Sequence, residues 1–366
     1  MAKLDYLDYQ IVINKKPDIR ELYLELTTAC NLNCQNCYRH SWQQAGGMMA
    51  RETWQQALAA ARRLPELKRV VLGGIGEPLL HPDFKEIVTA IKREGWSLTI
   101  TSNGFLLEEK LGRFLVEQQV DEIVVSIDGY SPEVFARNRG ESPDPLWANL
   151  TALHKVKQEL GSQWPQVAAE MVVTRENYRE IPALLAALPR WQINTLYLSQ
   201  LLPVTAERTG EVFYQLYPTE ELLSWRREVI TLAMRYGIRV VLPQVGLNTN
   251  RSCRFVDEKK VVIRFDGEVA PCYRFLHCGK EYVFGRPKDL EAVTFGNILK
   301  QDLAAIWMQD EYVKFRFLEY LNLYPSCPDC EWVDGCDMVW HNREDCWGNT
   351  PSCADCLWAR GLIFCP

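Results

Sequence analysis

Leu22-Tyr23-Leu24-Glu25-Leu26, followed closely by Ala29-Cys30-Asn31-Leu32-Asn33-Cys34-Gln35-Asn36-Cys37-Tyr38, is the stretch around which the chain is organised. The first run alternates like a strand, so the three cysteines lie on the loop that leaves it. Three thiolates at CxxxCxxC spacing can hold three irons of a [4Fe–4S] cube. The fourth iron is then open to a ligand that the loop does not supply. A tetrahedral zinc site is the competing use. Zinc knuckles favour CxxC pairs, and the three-residue spacer between Cys30 and Cys34 weighs against one.

Downstream, strand and helix alternate. Strands are expected at Arg69–Leu72, Leu98–Ile100, Glu122–Gly129, Val167–Thr174 and Thr195–Leu201. Helices are expected at Arg51–Leu64, near Phe84–Glu94 and Glu108–Gln118, and at Leu146–Glu159 and Tyr178–Ala187. Such alternation implies right-handed crossovers and an α/β fold with a parallel sheet, either doubly wound or a partial barrel. Both architectures bind ligands at the carboxyl ends of the strands. There the chain places Cys30, Cys34 and Cys37, then Gly74, Gly76 and Glu77, then Ser102 and Asn103, then Ser126 and Asp128, then Gln200. Metal ligands, bare backbone and small polar groups on one rim suit a charged, hydrogen-bonding small molecule. An ordinary tight turn is the plainer use of the glycines.

The chain has 366 residues and a net charge of -6, room for one large domain and a smaller one. No basic run suggests nucleic acid. The start, Met1-Ala2-Lys3-Leu4-Asp5-Tyr6, is not a signal peptide, and no apolar run is long enough for a membrane span, so a soluble cytoplasmic protein is expected. Of thirteen cysteines, three lie between 30 and 37 and ten lie from Cys253 onward. A disulfide framework would not crowd both ends and leave two hundred residues empty, so metal at both ends fits better. The five histidines do not cluster, and no catalytic acid or base is identifiable.

From Arg251 the character changes. Asp266-Gly267 signals a two-residue hairpin that folds Cys272 back toward Cys253. Cys327-Pro328-Asp329-Cys330 and Cys336 follow, then Cys346, Cys353, Cys356 and Cys365. CxxC with further cysteines points to metal, with zinc open for any four of them.

Cys30, Cys34 and Cys37 together resemble the signature of the radical S-adenosylmethionine (SAM) family. That resemblance implies a partial (β/α)6 TIM-like barrel and a three-cysteine [4Fe–4S] cluster whose open iron binds SAM. Asn36 departs from it, since many members carry an aromatic there, at a position that touches the adenine. The stretch Gly74-Ile75-Gly76-Glu77 is similar to the family's GGE motif with one extra residue, and implies contact with the SAM amino group. Ser126 and Arg139 are implied as SAM contacts, Arg139 pairing with the carboxylate, with Arg137 in reserve. Cys253, Gly267, Cys272, Cys327, Cys330 and Cys336 resemble the SPASM extension of radical SAM maturases, which implies two auxiliary [4Fe–4S] clusters. Trp340 stands where relatives often have a cysteine, and Cys346 is the replacement. Cys278 is the first candidate for a spare. Cys327, Cys330 and Cys336 share one cluster in this reading, and Cys253 with Cys272 the other. The implied division is an extension at 1–18, a barrel at 19–240 and a cluster domain at 241–366.

Cys37-Tyr38-Arg39-His40-Ser41-Trp42, Gly74-Ile75-Gly76-Glu77-Pro78, Leu201-Leu202-Pro203 and Cys353-Ala354-Asp355-Cys356-Leu357-Trp358-Ala359-Arg360-Gly361 are similar to the subgroup of maturases for tungsten-cofactor oxidoreductases. The resemblance implies an enzyme that makes a 5′-deoxyadenosyl radical and abstracts hydrogen from a peptide, a protein or a tungsten-cofactor enzyme. Its expected partners are that substrate and a reductant such as ferredoxin or flavodoxin, with no nucleic acid and no membrane. A ribosomal-peptide modifying enzyme is one alternative, and a non-catalytic iron–sulfur electron carrier another.

Overall fold

The computed structural model describes residues 2–364 except Leu7 and Asn14, so Cys365 lies outside the described residues. An antiparallel hairpin, β1 (Ala2–Tyr6) and β2 (Tyr9–Ile13), comes first. Then β3 (Glu21–Glu25), β4 (Arg69–Gly73), β5 (Ser97–Ser102), β6 (Glu122–Ser126), β7 (Gln166–Val173) and β8 (Thr195–Gln200) lie side by side in chain order, each parallel to the next. β9 (Arg239–Val241) extends this array beyond β8. β10 (Lys260–Ile263) pairs parallel with β3 at the other edge and carries β11 (Val269–Ala270) antiparallel, completing a nine-stranded sheet. The sheet does not close, as a partial TIM-like barrel requires.

The helices follow from apolar spacing. In the helix Phe84–Arg93, Phe84, Ile87, Val88 and Ile91 are buried at i, i+3, i+4 and i+7, one face against the sheet. Along β7, Val167, Ala169, Met171 and Val173 belong to the large apolar core, while Glu170 and Val172 line a cavity on the opposite face. One side of the sheet therefore packs on helices and the other faces a ligand space.

Arg137, Asn138 and Arg139 lie in a helix that the sequence reading did not expect, Pro132–Arg139, which opens on proline and ends at Gly140 with φ +81°. One local reading is corrected. The turn at 264–267 is not a two-residue hairpin turn. Gly267 N–H donates to the Arg264 carbonyl at 2.9 Å, so Phe265 and Asp266 occupy the centre, and Gly267 (φ +88°) is the third loop residue. The hairpin itself forms, with Ile263 opposite Val269.

Beyond β11 regular structure is sparse, and buried charge ties the tail down. The Arg274 guanidinium, 1% exposed, contacts Glu281 at 2.5 Å and Asp355 at 2.9 Å, and Lys288 Nζ lies 2.7 Å from Asp355. Replacing one member of such a network strands the others in low dielectric. Arg274→Met should lower unfolding free energy by about 3–5 kcal/mol in urea titrations, because two buried carboxylates lose their shared cation.

Candidate active site

The cysteine loop is fastened at three points. Glu77 N–H donates to the Ala29 carbonyl at 2.8 Å, which joins the loop to the glycine turn after β4. Gln35 N–H donates to the Asn138 carbonyl at 2.8 Å, which joins it to the Pro132–Arg139 helix. Arg39 donates to the Thr28 and Leu32 carbonyls at 3.2 and 3.0 Å, and through Nε to Cys37 Sγ at 3.2 Å. Gly76 is required by this closeness, since a Cβ there would sit 2.1 Å from the Thr27 carbonyl oxygen.

Glu77 is buried and accepts from Leu79 N–H (3.1 Å), Ser102 Oγ (2.9 Å) and Asn103 N–H (2.8 Å). Burial outweighs these bonds and pushes its carboxyl up to about 7. Asn103 Nδ2 lies 3.6 Å from Cys30 Sγ. Arg139 Nε lies 2.9 Å from Asp128 Oδ2, an ion contact without aligned hydrogen-bond geometry, and its Nη1 lies 3.7 Å from Cys34 Sγ. Burial raises the Cys30 and Cys34 thiols, while Arg39 and Arg139 respectively pull them down. Cationic donors beside soft thiolates are what a bound iron–sulfur group needs around it.

These residues share one cavity of about 270 Å³. Cys30, Cys34, Cys37, Gly74, Gly76, Glu77, Ser102, Asn103, Ser126, Asp128 and Arg139 all line it, as does Gln200. Arg137 does not and pairs instead with Glu176 at 3.6 Å. Asn36 also lines the cavity, its amide oxygen accepting from Arg208, which is backed by Glu211 at 2.6 Å.

Glu170 went unremarked in the sequence. Its signal is a lone acid in an otherwise apolar parallel strand. Its carboxyl lines the cavity, and burial together with Asp128 pushes it up to about 7. A carboxyl that keeps its proton in the fold makes stability fall as pH rises from about 4.5 toward 7. Glu170→Gln should remove about 1–2 kcal/mol of that fall, measured as urea midpoints from pH 5 to 8, with Glu77 responsible for a further share.

The later cysteines separate into two groups. Cys253, Cys272, Cys353 and Cys356 surround a narrow cavity walled by Phe255, Phe275, Phe315 and Trp358. Burial raises all four thiols, and Cys272, Cys353 and Cys356 are close enough to act on one another electrostatically. Cys327, Cys330, Cys336 and Cys346 form the outer group. Cys346 acts on Cys327 and is acted on by Cys330 and Cys336, and burial pushes Cys327 up to about 12. Cys278 lines neither space and accepts from Ala292 N–H at 3.3 Å. Among the described residues no disulfide forms, and no three acidic, His or Cys side chains converge on a single ion. Trp358 walls both the large cavity and the inner four-cysteine space.

The Radical SAM superfamily model matches residues 24–188, and the SPASM iron–sulfur cluster-binding domain model matches residues 253–331. The tungsten-containing aldehyde ferredoxin oxidoreductase cofactor-modifying protein of Pyrococcus furiosus is 39% identical over 95% of this chain and 97% of its own length. The mycofactocin maturase MftC of Mycolicibacterium smegmatis is 25% identical over 85% of this chain and 75% of its own length. Among solved structures, Streptococcus suis SuiB bound to S-adenosylmethionine superposes with TM-score 0.64 at 17% identity, covering 87% of this chain and 72% of SuiB. Native anSMEcpe with bound AdoMet and the Cp18Cys peptide gives TM-score 0.61 at 18% identity, covering 86% and 87%. At these identities the structures speak for the fold alone.

Proposed function

The chain belongs to the radical SAM superfamily and carries a SPASM cluster-binding domain, and from that premise we propose that it is a maturase whose substrate is a tungsten-cofactor oxidoreductase or its cofactor. The observation that carries the site assignment is convergence. Three thiols and the polar ends of four further strands line one cavity. In this reading Cys30, Cys34 and Cys37 hold the SAM-binding [4Fe–4S] cluster. Gly74, Gly76 and Glu77 receive the SAM amino group, Arg139 its carboxylate, and Ser102, Asn103, Ser126 and Asp128 the remaining polar edges. A cluster and SAM bound there supply reductive cleavage to methionine and a 5′-deoxyadenosyl radical that takes hydrogen from the substrate. The protein's own part is to orient and exclude. Arg139 is fixed by Asp128 so that its outer nitrogens face the cavity, and the Gly76 backbone lies open to a zwitterion. Trp358 and Tyr273 cover one wall against water.

The two later groups of four cysteines fit two auxiliary clusters, with Cys353 and Cys356 completing the set begun by Cys253 and Cys272, and Cys346 completing the other. Cys278 is spare, and Cys365 has no assignment. We keep the division at 18 and 240 as one of labour, since β10 of the last segment joins the barrel sheet. Among the described residues no helix is long and apolar enough to cross a membrane, and we place the protein in the cytoplasm, where an external one-electron donor such as ferredoxin or flavodoxin would reduce it.

The 39% identity to the cofactor-modifying protein favours a tungsten enzyme over a peptide. A peptide substrate is the second reading, favoured by the likeness to a mycofactocin maturase. Anaerobic reconstitution with SAM and dithionite tests the chemistry: 5′-deoxyadenosine should appear, and an electron carrier would make none. Adding either an immature tungsten aldehyde oxidoreductase or a precursor peptide encoded beside the gene separates the substrates, by which one stimulates that product and changes mass.

A further inference from the structure

The outer cysteine lobe carries a surface that catalysis in the cavity does not use. Trp332, Trp340 and Trp347 are 79%, 45% and 63% exposed. Each is close in the chain to an outer-group cysteine, and Cys330 and Cys346 are themselves exposed. The rings are not on loose chain. The Val333 N–H bonds the Cys330 carbonyl at 3.2 Å, and the buried Asp345 carboxylate receives the Trp347 N–H at 2.9 Å. The same stretch of chain, 327–348, also carries the exposed acids Asp329, Glu331, Asp334, Asp337 and Glu344. Over residues 327–348 the one exposed cation is Arg343, and it is paired with Glu291 at 3.1 Å.

Exposed tryptophan is scarce on ordinary surface and enriched where proteins meet. Indole faces and carboxylates together favour one kind of partner, because lysine and arginine satisfy both, by ion pairing and by lying over the rings. We propose that this lobe docks a one-electron carrier protein whose redox centre is ringed by lysine and arginine. A protein seated there meets the stretch that bears the exposed Cys330 and Cys346. The step is a bare electron transfer: the reduced auxiliary cluster loses one electron, the partner's oxidised centre gains it, and no bond or proton moves. The proposal rests on the reading that the outer four cysteines hold a cluster. An acidic carrier is disfavoured at this face and would need another.

Cytochrome c, with its lysine-ringed haem, is the basic probe, and a flavodoxin the acidic one. Binding to the reconstituted holoenzyme is followed by biolayer interferometry, alongside electron transfer to each probe by stopped flow. Cytochrome c should bind with a Kd that rises roughly tenfold between low and physiological salt. Glu331→Lys/Asp334→Lys/Asp337→Lys should raise that Kd at least about tenfold, and Trp332→Ala/Trp340→Ala/Trp347→Ala at least about fivefold. Glu52→Lys/Glu108→Lys/Glu117→Lys, the same charge change on the barrel helices, should shift it by less than about twofold. Equal effects from the lobe and barrel reversals, or flavodoxin binding at the lobe as tightly as cytochrome c, overturn the proposal. Iron content is measured in each variant, so failure of the cluster reading shows as missing iron, and failure of docking shows as weak binding with iron in place.

Discussion

Cys34→Ala should drop 5′-deoxyadenosine formation to background, a loss of at least about a thousandfold, while iron falls only from about twelve to about eight per chain. The two numbers together are the test. Cys34 sits between Cys30 and Cys37 on the same loop, its sulfur 3.7 Å from Arg139 Nη1. Removing its thiol leaves two protein ligands for a cube that needs three and still requires an open corner. The later eight cysteines are on other elements, walled by Phe255, Phe275 and Phe315 or held in the outer lobe, and do not share the loop's hydrogen bonds. Two clusters' worth of iron should therefore survive. Fold should survive as well, since the loop is anchored through Ala29, Gln35 and Arg39 and not through Cys34. Activity lost with all iron retained would place the SAM-binding cluster elsewhere.

The barrel was legible because its strands read as short apolar runs that end in residues burial does not explain. Val70, Val71 and Leu72 are 0–1% exposed, and the glycines follow immediately. The cysteine spacing was legible for the same reason: thiols on a strand-leaving loop have no packing role to hide behind. What escaped was non-local. Nothing near Cys253 or Cys272 shows that Cys353 and Cys356 share their cavity, because that contact closes a loop of about eighty to a hundred residues. The parallel pairing of β10 with β3 is of the same kind, joining residues more than two hundred positions apart. The Pro132–Arg139 helix was missed because little of it is apolar; Phe135, Asn138 and Arg139 are its buried members, two of them polar. Glu170 escaped because the strand around it reads as continuous core, although alternate positions face the cavity.

Arg139 carries the second large effect, and it separates substrate binding from cluster assembly. The side chain is 10% exposed and is held at the cavity wall by Asp128, whose other oxygen accepts Val172 N–H at 2.9 Å. Asp128 thus bolts the arginine to the neighbouring strand. Arg139→Ala removes the cation and leaves Asp128 buried without it, costing about 3–5 kcal/mol of stability. It also removes the fork for a carboxylate, so SAM affinity should fall about a hundredfold, the worth of a desolvated charge-assisted pair. Arg139→Lys keeps the charge beside Asp128 but offers one point donor, and should recover most of the stability and little of the affinity. Iron content should be near that of the unaltered protein in both, because the cysteine loop keeps its Arg39 clamp. Equilibrium dialysis of SAM against each variant, with urea melts alongside, reads the two quantities apart. If Arg139→Lys binds SAM as the unaltered protein does, the arginine serves only Asp128, and the SAM carboxylate must be held by another group in the cavity.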